Sequence, residues 1–182
     1  MFNYINIFLD YPAKEFNVRE VARIKSISPA TASKILKSLA KQSFLKQRTF
    51  KNLILYKANI ESDKYRDLKV YYNIRKLKDS GLIQAINNFY LQPTIILFGS
   101  FSNGYDVETS DIDLVIISEK TAMLKNKELF EKKLKREIQL FPIRKLSDLR
   151  NEHLINNVLN GITLQGSVKW TSMNALKKDL SK

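Results

Sequence analysis

At 182 residues, 44% of them hydrophobic and 27% charged, the chain has room for one large domain or two small ones, each with its own core. The absence of cysteine excludes disulfides, thiolate metal centres and a cysteine nucleophile. Of the net charge of +13, +8 falls in the first sixty residues, where 11 Lys/Arg stand against 3 Asp/Glu, so a polyanion is the expected partner of that third. The N-terminal stretch MFNYINIFLDYP has no basic n-region, and runs such as Ile95–Phe98 are too short to span a bilayer. A cytoplasmic protein with no membrane contact is expected.

The first sixty residues predict three helices and a hairpin. Asn3–Tyr11 is amphipathic through Ile5, Ile7, Phe8 and Leu9. Asn17 followed three residues later by Glu20 is a capping box opening a helix over Val18–Lys25. Ser28-Pro29 is a second start signal, after which Ala32, Ile35, Leu36 and Leu39 recur at helical spacing. Two β-rich runs, Phe44–Thr49 and Leu53–Lys57, flank a basic turn over Phe50–Asn52. With Ala32, Leu36 and Leu39 inward, Thr31, Ser33, Lys34 and Lys37 face outward, and Arg48 and Lys51 lie near the hairpin tip. Those six side chains are the expected contacts to double-stranded DNA: hydroxyls and lysines toward the major groove, the tip toward phosphates.

Residues 61–80 form a helical bridge with two apolar stripes, Tyr65, Leu68 and Tyr72 on one and Val70, Ile74 and Leu77 on the other. Such a helix is expected to pack between domains or against its copy in a homodimer. Leu82–Leu91 is a further helix, ended by Pro93. The expected division is 1–60, a linker over 61–80, and a second domain over 81–182.

Chemistry concentrates in the second domain. Thr94–Phe98 is a continuous apolar run, as a buried strand requires, and leads directly into Gly99-Ser100. Ten residues later comes Asp111-Ile112-Asp113-Leu114-Val115-Ile116-Ile117. Residues i and i+2 of a strand point the same way, so both carboxylates share one face. Their mutual repulsion is relieved by a divalent cation, Mg²⁺ or Mn²⁺, which favours hard oxygen ligands and substrate phosphates. The Gly-Ser turn offers backbone N–H groups to a phosphate.

The run from Gly99-Ser100 through Gly104 and Ser110 to Asp111-Ile112-Asp113 resembles the signature of the polymerase beta nucleotidyltransferase superfamily, and most of all its minimal nucleotidyltransferases. Asn156–Gly166 resembles that family's closing helix and strand. Residues 1–59 resemble the winged helix-turn-helix of transcriptional regulators, and the combination resembles archaeal proteins of this kind. The fold implied is α+β: a winged helix of three helices and a β-hairpin, then a mixed sheet with flanking helices. The activity implied is transfer of a nucleoside monophosphate from a triphosphate, ATP in the first instance, to a hydroxyl of a protein, an RNA or a small molecule. Asp111 and Asp113 would hold the metals, and Gly99, Ser100 and Ser110 the triphosphate.

A third carboxylate is usual on a later strand of the family. In Glu137–Phe141 the aligned position is Gln139, with Glu137 two residues earlier as its substitute. His153 and Trp170, the latter beside Leu176 and Leu180, read as packing, Asp106 and Glu108 as solvated loop acids, and Ser102 and Asn103 as turn residues placed either to touch substrate or to cap the helix. Two further functions compete with the enzyme: a DNA-binding regulator whose nucleotidyltransferase domain senses nucleotide or is inactive, and an antitoxin-like partner of a protein toxin.

Overall fold

The computed structural model describes residues 2–168, so Trp170, Leu176 and Leu180 lie outside the described residues. Packing divides the chain into two units: one runs up to Tyr72 and adds Gly104–Thr109, the other takes Asn73–Asn103 and the residues from Ser110 on. The division falls inside the helix read above as a bridge.

The first unit opens with α1 (Phe2–Asp10), which buries Ile5, Phe8 and Leu9. A two-residue strand, β1 (Phe16–Asn17), precedes α2 (Val18–Ile24). The Asn17 side chain accepts from the Glu20 N–H at 3.0 Å while the Glu20 carboxylate accepts from the Asn17 N–H at 2.8 Å, which satisfies two otherwise orphan donors. Ser28 caps α3 (Pro29–Lys41) in the same way, accepting from the Thr31 N–H at 3.1 Å. Ala32, Leu36 and Leu39 form the buried stripe of α3. The hairpin is β2 (Leu45–Phe50) and β3 (Leu53–Ala58), and the sheet order is β1-β3-β2. Its turn is only Lys51-Asn52, both left-handed at φ +45° and +63°, as a two-residue hairpin needs. Phe50, expected in the turn, is the last residue of its strand. β1 was not foreseen, because a two-residue strand leaves no periodicity to read; only its pairing with β3 makes it one.

The helix α4 (Asp63–Ser80) places Tyr65, Leu68 and Tyr72 in the first unit's core and Ile74 and Leu77 in the second's. Five of the six residues of the two expected stripes thus pack within the chain, each stripe in a different core.

In the second unit the chain breaks at Gly81 into α5 (Leu82–Tyr90), then runs through β4 (Thr94–Phe98), the short α6 (Ser100–Asn103), β5 (Ile112–Ile117), α7 (Lys127–Leu134), β6 (Ile138–Ile143), a 3₁₀ turn (Leu146–Leu149), α8 (Glu152–Leu159) and β7 (Ile162–Gln165). The sheet order is β6-β5-β4-β7, with β5 and β6 parallel and the other pairs antiparallel. A parallel pair needs a crossover, and α7 lies in that connection. Both faces of the sheet are covered: Ile95, Leu97, Ile112, Leu114 and Ile116 share a core with α5, while Ile96, Phe98 and Val115 pack with Ile155 and Val158 of α8. Burial on both faces explains why β4 and β5 read as continuous apolar runs. A mixed α+β protein with two sheets is therefore what the chain forms.

Candidate functional site

The two ends of the glycine-serine-to-aspartate segment meet where β4 and β5 pair. Phe98 is directly opposite Asp113, so Gly99 follows immediately beside that carboxylate. Gly99 is left-handed (φ +72°), and a Cβ built on it would overlap Asp113 Oδ2 and stand 3.4 Å from its Cγ. Only glycine lets the turn and the carboxylate lie this close. Ser102 closes the turn, its N–H and its hydroxyl both donating to the Gly99 carbonyl, at 3.2 and 2.8 Å. Since α6 is only four residues long, its dipole contributes little, and a phosphate here would be held by turn N–H groups and the Ser100 hydroxyl.

Asp113 lies within β5, and Asp111 just precedes it. Ile112 between them is fully buried on the α5 side, which leaves the two carboxylates on the other. Burial, and then the charge of Asp111, push the Asp113 carboxyl above the usual carboxylate range. Asp113 is paired in register with Gln139 of β6, and Gln139 Nε2 donates to Asp111 Oδ2 at 2.7 Å. The amide therefore stands where a third carboxylate was sought. Glu137 is exposed, lines an open depression with Lys127, Lys132 and Arg136, and supplies its carbonyl to the Ile112 N–H at 2.9 Å. Among the described residues no cluster of three or more His, Cys, Asp or Glu side chains is arranged to hold a metal. The donor set is thus two carboxylates whose charges disfavour each other, which suits a hard divalent cation whose remaining ligands come from substrate and water.

The raised pKa of Asp113 carries a stability consequence. Because folded Asp113 holds its proton more tightly than the unfolded chain does, it lowers stability at neutral pH, and that penalty fades as pH falls through the raised value. Asp113→Asn is therefore expected to raise the melting temperature in chelator at pH 7 by about 1–3 °C, with the gain vanishing in acid. Calorimetric scans across pH check this; an unchanged or lowered melting temperature at neutral pH would contradict it.

Asp106, read as a solvated loop acid, is buried: its carboxylate lies 2.8 Å from Lys69 Nζ, and both residues are 1% exposed. No local pattern marks this, since the partners are far apart in sequence. Glu108 is half-buried and accepts from the Ala13 N–H at 3.3 Å. His153 is exposed on α8 rather than packed.

On the first unit, Lys34 and Lys37 are exposed on α3, Ser33 is half-buried, and the Thr31 hydroxyl lies 2.9 Å from Ser28 Oγ at the helix cap. Lys51 sits in the hairpin turn with its ammonium 5.4 Å from the Phe50 ring centre. Arg48 is three residues back along β2 and makes two hydrogen bonds of 2.6 Å to the Glu15 carboxylate, which hold that carboxyl below its usual range. No helix among the described residues is long and apolar enough to cross a membrane.

No curated protein and no solved structure matches the chain. Residues 82–167 match the model of the family described as Polymerase beta, Nucleotidyltransferase, so the domain that holds the Gly99-Ser100 turn against Asp113 is similar to a nucleotidyltransferase domain.

Proposed function

We propose that the protein is a metal-dependent nucleotidyltransferase that moves a nucleoside monophosphate from a triphosphate, ATP in the first instance, to an acceptor hydroxyl. The observation that carries this is the Asp113 carboxylate lying against Gly99, at the turn that Ser100 continues. Asp111 and Asp113 would hold Mg²⁺ or Mn²⁺, which neutralises charge on the phosphates when bound. Gly99 and Ser100 bind and orient the triphosphate, and Ser110 offers a hydroxyl next to Asp111. In the reaction the acceptor oxygen bonds to the α-phosphorus, the bond to the β-phosphate oxygen breaks, pyrophosphate leaves, and the acceptor proton passes to water or to Glu137. Incubation with each labelled triphosphate, either metal and cell lysate tests this: label on a macromolecule or small acceptor supports it, and no transfer from any triphosphate under any condition refutes it.

One observation favours a second reading. Gln139, hydrogen-bonded to Asp111, can be neither an anionic ligand nor a base. If that limits the chemistry, the domain binds nucleotide as a sensor, or serves as an antitoxin-like partner, without efficient transfer. Gln139→Glu is expected to raise metal-dependent transfer at least about tenfold, since one ligand or base is commonly worth ~10²–10⁴ in rate. A variant no faster than wild type would show that the amide does not limit the reaction.

The first unit is proposed as a winged-helix module for double-stranded DNA, supported by its charge and by the exposure of Lys34, Lys37 and Lys51. Thr31 and Ser33 are assigned base edges. Arg48 can reach a phosphate only by leaving Glu15, so Lys51 is the stronger wing contact. Lys51→Ala is expected to flatten the slope of log K against log salt by about 0.9 and to weaken all sequences alike. Titrations at several salt concentrations check this; an unchanged slope removes Lys51 from the interface.

A further inference from the structure

In a ladder, directly opposite residues share a face, as do residues two apart along a strand. The pairs Lys46–Lys57, Arg48–Leu55 and Phe50–Leu53 therefore line one face of the β2–β3 hairpin, and the other face carries Leu45, Tyr56 and Ala58 into the core. The outward face is basic along its length: residues 45–58 hold four Lys/Arg and no Asp/Glu. At its end the same face turns apolar. Phe50 and Leu53 are each 49% exposed, with Ile54 beside them at 40%, and none of the three belongs to the core of this unit.

An apolar tip on a basic projection calls for a partner, and its surroundings point to a polyanion. The Phe50 ring has the Arg48 guanidinium 5.2 Å from its centre and the Lys51 ammonium at 5.4 Å. Arg48 is itself anchored by two hydrogen bonds to the Glu15 carboxylate, so the ring is held in place before anything binds. The buried centre of a protein–protein interface is depleted of charge, lysine above all, so a ring flanked by cations fits it poorly. A membrane fits poorly too: three half-exposed side chains have less apolar surface to give than one myristoyl chain, which by itself binds a bilayer only marginally. Proteins that deform DNA combine these same features, pushing Phe, Leu or Ile between base steps from the minor groove while Arg and Lys meet the adjacent backbone. The two-residue turn at Lys51-Asn52 keeps this projection narrow.

We propose that Phe50 and Leu53 form a wedge that enters the minor groove of double-stranded DNA and opens a base step, so that the first unit bends the duplex it binds. The inference rests on the DNA-binding reading of that unit. Lys51 takes a phosphate beside the wedge, while Arg48, kept by Glu15, steadies the ring. Unstacking is easiest at pyrimidine–purine steps such as TA and CA, so the wedge gives the protein a sequence preference that needs no hydrogen bond to a base.

The test uses the full chain carrying Phe50→Thr with Leu53→Thr, since threonine keeps the preference for a strand and removes the wedge. Wild type, this variant and Lys51→Ala are each titrated onto a duplex of about 30 base pairs, rich in TA steps and labelled at both ends for energy transfer. Wild type is expected to bend the duplex by ~20–90°. The Thr variant is expected to melt within about 3 °C of wild type, to keep the salt slope of binding and to leave the duplex straight. Lys51→Ala is expected to do the reverse, flattening the slope by about 0.9 and keeping the bend. A straight duplex under wild type, or an equal bend under the Thr variant, overturns the inference. So does tighter wild-type binding to phosphatidylserine–phosphatidylcholine vesicles than to the duplex, or self-association in sedimentation that the Thr variant abolishes, since either gives the tip another occupant. A wild-type protein that binds no DNA at low salt is a different failure: it removes the DNA-binding module itself, and the wedge with it.

Discussion

Asp111→Ala combined with Asp113→Ala is expected to abolish Mg²⁺-dependent nucleotide binding and to leave the fold intact. Asp113 lies against Gly99 with Asp111 two residues before it, and burial and the charge of Asp111 disfavour the ionised state of Asp113. Holding such a pair beside a buried strand costs stability, so removing it should not lower the melting temperature in chelator. With no anionic ligand left, the cation has no anchor and the triphosphate loses its counter-charge. Since partners one step removed from a metal are commonly worth ~10–100-fold in affinity, loss of both ligands should exceed about 100-fold. Calorimetric titration of wild type and variant with the ATP analogue, with and without Mg²⁺, measures it. Equal affinities would mean that the carboxylates do not organise metal and phosphate.

Gly99→Ala should come close to that effect by a different route. The left-handed backbone at φ +72° costs an L-residue roughly 1–2 kcal/mol. The added methyl also overlaps the Asp113 carboxylate, which has β4 pairing on one side and Gln139 on the other and little room to withdraw. Overpacking of this kind costs a further ~1–3 kcal/mol. Either the turn opens or the carboxylate rotates away, and each outcome separates the phosphate-binding turn from the metal ligand. Nucleotide affinity should fall at least about thirtyfold, the equivalent of ~2 kcal/mol, with a lowered melting temperature. Retention of full affinity would show that the close approach of Gly99 and Asp113 is incidental.

Local chemistry made much of this legible. The capping box at Asn17 and Glu20 and the Ser28-Pro29 start involve partners three residues apart, so the residues themselves specify the geometry. Continuous apolar runs marked β4 and β5 because a strand covered on both faces has no polar side. The i, i+2 spacing of Asp111 and Asp113 put both carboxylates on one face for the same reason. The hairpin was legible as two runs and a basic turn, but its tip was placed one residue too wide: Phe50 completes a ladder pair with Leu53 that pattern alone does not reveal.

What required the tertiary structure was pairing over long separations. Whether Gln139 or Glu137 faces the aspartates depended on the parallel register of β5 and β6, and a one-residue shift would have exchanged faces. Asp106 looked like a loop acid because its partner, Lys69, lies on a helix far back in the chain. Arg48 looked like a free cation until Glu15 was found across the sheet. The sequence by itself determined the helix starts, the buried strands, the uneven charge and the side-by-side aspartates, all set by contacts within a few residues. Only the tertiary structure decided which charges are paired and which group stands beside Asp111, because those follow from strand register and helix packing, which bring together residues that local spacing cannot relate.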